Sequence, residues 1–242
     1  MCLIQKKLSV YLFSRACLKH DTRELFRLPI KFLLNHLIFP RKSWYAAFLR
    51  GVIINLISRT RAVSYVFKDV SASSYGDLRL GKDSVIEEGT IIDGPLTLGE
   101  LCVIGKRVFI EGPVVLGRGS TIRDGSVVIR HTTLEEWVAV SIDVKFITFN
   151  HEIGPEDLRC GKLSYNPIVV KSGAWLGAGV TILPGVTIGR GCVIGAGSIV
   201  TRSIPDNCIA AGIPARVIRK LGPGEGGAIP AELEKAWEYE KW

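Results

Sequence analysis

The chain has 242 residues, 47% of them hydrophobic, with 26 glycines and a net charge of +8. That is enough apolar material for one large domain, or one domain with an appendage, and too much for a disordered chain. The charge is uneven: residues 1–70 carry 13 Lys/Arg against 3 Asp/Glu, and the remainder carries 18 against 20. The excess positive charge therefore belongs to one end, which removes the basis for nucleic-acid binding by the chain as a whole.

Residues 1–70 read as a basic, apolar helical segment. Over 44–58 the apolar residues Tyr45, Phe48, Leu49, Val52, Ile53, Leu56 and Ile57 recur at three- and four-residue spacing, with Arg50 and Asn55 elsewhere on the wheel. A second apolar stretch, 28–39, ends at Pro40. Lys31 and Arg50 interrupt these runs, so no membrane span of about 20 residues is expected. Two roles stay open: a helical cap on the body, which is the expectation, or an amphipathic anchor making peripheral contact with an anionic membrane surface. The chain does not open on a short basic region, a clean apolar stretch and a small-residue cleavage site. The expected location is therefore cytoplasmic, at the inner face of the membrane if the segment anchors.

From Leu80 an aliphatic or aromatic residue recurs every sixth position through Ile86, Ile92, Leu98, Ile104, Ile110, Leu116, Ile122, Val128, Leu134 and Val140 to Phe146. The pattern breaks over 150–167 and resumes at Val170, Leu176, Ile182, Ile188, Ile194 and Val200. Glycine often follows the apolar residue directly, as at Gly81, Gly99, Gly105 and Gly177. A small or β-branched residue is common four positions after it. Neither helix nor ordinary strand periodicity produces a period of six; a β-helix of hexapeptides does, each hexapeptide supplying a short strand and a turn. Eighteen period positions predict roughly six triangular coils. The glycines are expected to supply unusual turn angles. The protruding loop 150–167 is polar and sits on a rigid scaffold, a common place for function. The tail, 222–242, is expected to contain a short helix.

Six cysteines show no C-x-x-C pair and read as thiols in a reducing compartment, with Cys102 and Cys192 at small-residue positions of the repeat. Only His131 and His151 lie within the coils, too few imidazoles for a zinc site of the γ-carbonic-anhydrase type. No metal is expected.

The segment 166–221, NPIVVKSGAWLGAGVTILPGVTIGRGCVIGAGSIVTRSIPDNCIAAGIPARVIRKL, preceded by FNHE at 149–152, resembles the galactoside and maltose O-acetyltransferases and the O-acetyltransferases of surface-polysaccharide clusters. The likeness runs over 146–221 residue by residue and upstream only in pattern. It implies a left-handed parallel β-helix over 71–221 that forms a homotrimer with sites between subunits. It also implies acetyl-CoA as co-substrate and a sugar hydroxyl as acceptor, in polysaccharide or glycolipid biosynthesis. By the resemblance His151, 24 residues before Trp175, is the general base that takes the acceptor's proton, and the backbone N–H of Ala178 is the oxyanion donor. Trp175, Gly177, Ala196, Thr201 and Arg202 would line the CoA groove, with Arg216 or Arg219 near the phosphates. Asp143, Glu152, Glu156 and Asp157 are all candidates to orient His151. Two other readings share the repeat: an acetyltransferase for an antibiotic or amino sugar, and a non-enzymatic scaffold.

Overall fold

The computed structural model describes residues 49–54, 64–66, 70–72, 77–222 and 225. Most of the N-terminal segment and the tail with its expected helix lie outside them. Residues 49–54 are helical; Ile54 is fully buried and so is Arg50, at 4% exposure. The wheel placed Arg50 away from the apolar face, but it lies inside with a partner. No helix of the described residues is long and apolar enough to cross a membrane.

The body is a parallel β-solenoid of about seven turns with very little helix, matching a left-handed β-helix of hexapeptide repeats. Its strands fall on three faces and are two or three residues long up to Ile199–Val200. The first face runs through Val103–Ile104, Thr121–Ile122, Ala139–Val140, Trp175–Leu176 and Val193–Ile194. The second runs through Phe109–Glu111, Val127–Val128, Lys145–Phe146, Thr181–Ile182 and Ile199–Val200, and the third through Leu96–Leu98, Val114–Leu116, Thr132–Leu134 and Ile168–Val170. Each period-setting residue points inward and stacks on its equivalent one coil away. Ile104, Ile122, Val140, Leu176 and Ile194 form one such column, every one at most 1% exposed. This inner column is the hydrophobic core, and its burial is the main favourable term for the fold.

Two expectations need correction. The second face has seven strands, one more coil than the period predicts. The additional first coil is read out of phase because Ser71–Ala72 pairs with Ile91–Asp93 at an offset of 20 residues (72 to 92), whereas the next offset is 18 (92 to 110). Two extra residues between Ala72 and Leu80 hide that coil from a strict six-residue search.

The glycines that follow the inward residues serve close approach and not turn angle. A Cβ on Gly81 would sit 2.3 Å from the carbonyl carbon of Gly99, and one on Gly99 would sit 2.7 Å from the Arg118 nitrogen. Positive φ falls two residues later, at Asp83, Leu101, Arg107, Trp137 and Asp143 as well as at glycines such as Gly179. The small residues at the inner corners also have a polar task. Ser84 and Ser198 hydroxyls donate to the carbonyls of Gly81 and Gly195 at 2.7 and 2.6 Å, and the thiols of Cys102 and Cys192 reach the carbonyls of Gly117 and Pro205 at 3.1 and 2.9 Å. Three of those turn carbonyls, Gly81, Gly117 and Gly195, also accept a backbone N–H at 3.3 Å, so the hydroxyl or thiol adds a second, shorter bond. Both cysteines are free and buried, as the repeat implies.

Candidate active site

The break in the repeat is a β-hairpin. Phe149–Ile153 pairs antiparallel with Cys160–Tyr165, and the Asn166 N–H donates to the Thr148 carbonyl at 2.7 Å to close its root. Across the insertion the coil offset doubles to 36 residues (Val140 to Leu176), so the hairpin takes the place of one whole coil and leaves the six-residue phase unbroken. It leaves the prism at the corner between the second and third faces.

His151 lies on the first strand of this hairpin, opposite Leu163, and is exposed. Its Nδ1 is 2.8 Å from the carbonyl oxygen of Gly161. A carbonyl oxygen can only accept, so the neutral ring carries its proton on Nδ1 and keeps a lone pair on Nε2. The orienting partner is therefore a backbone group. None of the four carboxylates considered for that role bonds to His151. Asp143 instead occupies a turn with φ 57°, and Glu152, Glu156 and Asp157 are exposed on the hairpin. A main-chain acceptor leaves no side-chain signature; the only local hint is that residue 161 is glycine. A Cβ there would lie 2.7 Å from the Glu152 carbonyl oxygen.

Ala178 sits in the turn between the first and second faces, after Trp175–Leu176. Its carbonyl accepts from the Gly197 N–H at 2.8 Å, while its own N–H meets no acceptor among the described residues. Comparable turn amides are capped by carboxylates: Lys106 N–H by Asp124 at 3.0 Å, Arg190 N–H by Asp206 at 2.9 Å and Ser172 N–H by Glu135 at 2.9 Å. Ser172 donates to Glu135 through its hydroxyl as well, and the two bonds hold that carboxyl below the usual range. The Ala178 amide is left open, as are the amides at the same turn position of other coils, Glu100, Arg118, Glu136 and Ala196 among them.

Ala196 lies directly above Gly177 on the same corner; a Cβ on Gly177 would come within 2.6 Å of the Ala196 nitrogen. Trp175 leads into that corner with its side chain 54% exposed. Thr201 and Arg202 are exposed at the second-to-third corner, which is the hairpin's corner, two coils further on. Arg216 and Arg219 lie on Ala215–Lys220, which folds back antiparallel on Cys208–Gly212 at the end of the first face. Arg219 forms an ion pair with Glu225, whose carboxyl is held low by the Gly222 N–H and secondarily by Arg219, whereas the Arg216 guanidinium donates to the Ala215 carbonyl at 2.9 Å. Within one chain, then, His151 and Ala178 belong to different corners of the prism. Among the described residues no three His, Cys, Asp or Glu side chains gather as a metal site would require.

Two family descriptions match the coils: "Bacterial transferase hexapeptide (six repeats)" over 167–202 and "Hexapeptide repeat of succinyl-transferase" over 95–130. The galactoside O-acetyltransferase of Lactococcus lactis is 46% identical over 84 residues, 34% of this chain and 40% of that one. The galactoside O-acetyltransferase of Escherichia coli K12 is 38% identical over 89 residues, 37% of this chain and 44% of that one. The chain thus covers less than half the length of these relatives. Among solved structures, AntD, an N-acyltransferase from Bacillus cereus, is 20% identical with a TM-score of 0.46, covering 73% of this chain and 87% of that one. By its repeats and its fold the chain is a hexapeptide-repeat β-helix protein, and the relatives it matches over part of their length are galactoside O-acetyltransferases.

Proposed function

We propose that the chain is an acetyl-CoA-dependent O-acetyltransferase that acts on a sugar hydroxyl, with His151 as general base. The observation that carries this reading is the hydrogen bond from His151 Nδ1–H to the Gly161 carbonyl at 2.8 Å. It leaves Nε2 of a neutral imidazole as the acceptor on an exposed hairpin strand. Acetyl-CoA supplies the activated thioester. His151 Nε2 receives the proton of the acceptor hydroxyl as that oxygen attacks the thioester carbonyl carbon, a contribution typically of about 10²–10⁴ in rate. The tetrahedral adduct then collapses with cleavage of the C–S bond, and the CoA thiolate leaves and takes the proton back from the imidazolium. The uncapped N–H of Ala178 offers a fixed donor for the negative charge that develops on the carbonyl oxygen.

Because His151 and Ala178 lie on different corners, the reading requires that they come from different copies of the chain. A homotrimer with its sites between subunits meets that requirement, the hairpin of one subunit facing the Trp175–Ala178 corner of the next. Trp175, Gly177, Ala196, Thr201 and Arg202 would then line the groove for the pantetheine and nucleotide, with the close packing at Gly177 keeping the backbone within reach. Arg216 would meet a phosphate by turning from the Ala215 carbonyl, and Arg219 would do so only by leaving Glu225. The acceptor is a saccharide on the way to a surface polysaccharide or glycolipid.

The test is CoA thiol release by the purified protein across hexosides, nucleotide sugars, lipid-linked sugars and amino sugars, with the product's acetyl position mapped. Ester formation on a sugar hydroxyl supports the proposal. Amide formation on an amino sugar as the only reaction would refute it.

A further inference from the structure

The hairpin that carries His151 is two-stranded and exposed along nearly its whole length. A hairpin of that kind is at best marginally ordered by itself, so a base carried on it has to be held from outside. One contact does this. Tyr165, the last residue of the returning strand, pairs with Phe149, two rungs from His151. The Arg130 guanidinium carbon lies 5.4 Å from the centre of the Tyr165 ring, and the His131 ring meets that ring edge-on at 6.0 Å. Arg130 is itself pinned: its Nε and Nη2 reach one carboxylate oxygen of Glu111 at 2.6 and 2.5 Å. Glu111 and Arg130 sit on successive coils at the corner from which the hairpin departs.

We infer that Glu111, Arg130 and Tyr165 form a clamp that fixes the His151 hairpin against the coils and so sets the direction in which Nε2 points. The three are positioning residues; none need touch substrate, and the inference rests on the reading of His151 as the base. A planar guanidinium held by a carboxylate and laid on an aromatic face suits the task, because both partners are rigid and the stacking geometry is directional. Loss of the clamp leaves the β-helix core intact but lets the hairpin swing about its root at Thr148 and Asn166. The bond from Nδ1 to Gly161 then no longer has a fixed frame.

The experiment uses the full chain labelled with ¹⁵N in its four histidines, the His151 signals being assigned by their loss in His151→Gln. The wild type should show His151 protonated at Nδ1 with a slowly exchanging Nδ1–H. Tyr165→Phe keeps the ring and should keep that signal. Tyr165→Ser and Arg130→Met should each lose it, with the thermal midpoint within about 2 °C of wild type. In thiol-release assays with the acceptor panel, kcat should fall about 10- to 100-fold in both, while KM for acetyl-CoA is unchanged; ångström-scale misplacement of a catalytic group has that effect. A protected Nδ1–H that persists in both variants overturns the clamp. Loss of the signal with unchanged turnover leaves the clamp standing and overturns His151 as base instead, as does full turnover by His151→Gln.

Discussion

Phe146 and Trp175 are both large aromatics in two-residue strands, but the fold gives them opposite surroundings. Phe146 is fully buried, stacked between Val128 and Ile182 on the second face, and is the last inward residue before the hairpin. Trp175 is 54% exposed on the outside of the first face. Truncating Phe146 to alanine should cost about 3–5 kcal/mol, the transfer term plus a cavity that stacked neighbours cannot collapse into. That is a large part of a typical stability of about 5–15 kcal/mol. Trp175→Ala should change stability by less than about 0.5 kcal/mol and should act on acetyl-CoA affinity instead. Guanidinium unfolding followed by circular dichroism, at one fixed protein concentration so that any assembly contributes equally, measures both. A Phe146→Ala cost below about 1 kcal/mol, or a Trp175→Ala cost equal to that of Phe146→Ala, would refute the inward–outward assignment and with it the phase of the repeat.

Other perturbations test separate parts of the account. Gly112→Ala places a Cβ 2.1 Å from the Pro95 carbonyl oxygen and should destabilise by about 3 kcal/mol or more, since backbone must move; thermal unfolding reads it. Gly179→Asn meets open space at φ +68°, a conformation asparagine tolerates, and should cost less than about 1 kcal/mol in the same measurement. The Thr148 hydroxyl is buried without a partner among the described residues, so Thr148→Val should stabilise by about 1 kcal/mol in denaturant titration. Burial pushes the Cys102 thiol up to about 11, leaving about 0.1% thiolate at pH 8. Iodoacetamide under native conditions should therefore modify the exposed Cys160 well before Cys102, as read by peptide mass spectrometry.

Much of this architecture is legible in the residues alone, for a physical reason: in a coil whose strands each place an inward side chain at the same register, hydrophobicity must recur at the spacing of the strands. Leu80 through Val200 therefore report their burial directly, and the in-phase resumption at Val170 reports that the coils continue after an insertion. What is not legible follows from groups without side-chain identity. The partner of His151 is the Gly161 carbonyl, and the open donor is the Ala178 amide; both are main chain, and neighbouring acidic residues compete for attention without reaching the ring. The first coil is hidden by two extra residues before Leu80. The glycines after each inward residue were expected for turn angle, yet they answer to the next coil's backbone, a contact separated by about eighteen positions in sequence (Gly81 against Gly99). Arg50 shows the limit of a helical wheel, which knows the helix but not its neighbours. Tyr165 and Arg130 carry no motif at all; only the register of the hairpin brings them together.

In the proposed reaction His151 takes a proton from an acceptor hydroxyl as acetyl leaves CoA. The most direct test is acceptor-dependent thiol release by wild type, His151→Ala and His151→Gln, with acetyl-CoA binding measured on each by calorimetry. With His151 as the base, kcat should fall about 10²–10⁴ in both variants with acetyl-CoA affinity unchanged. Turnover within a few-fold of wild type in either variant would contradict it.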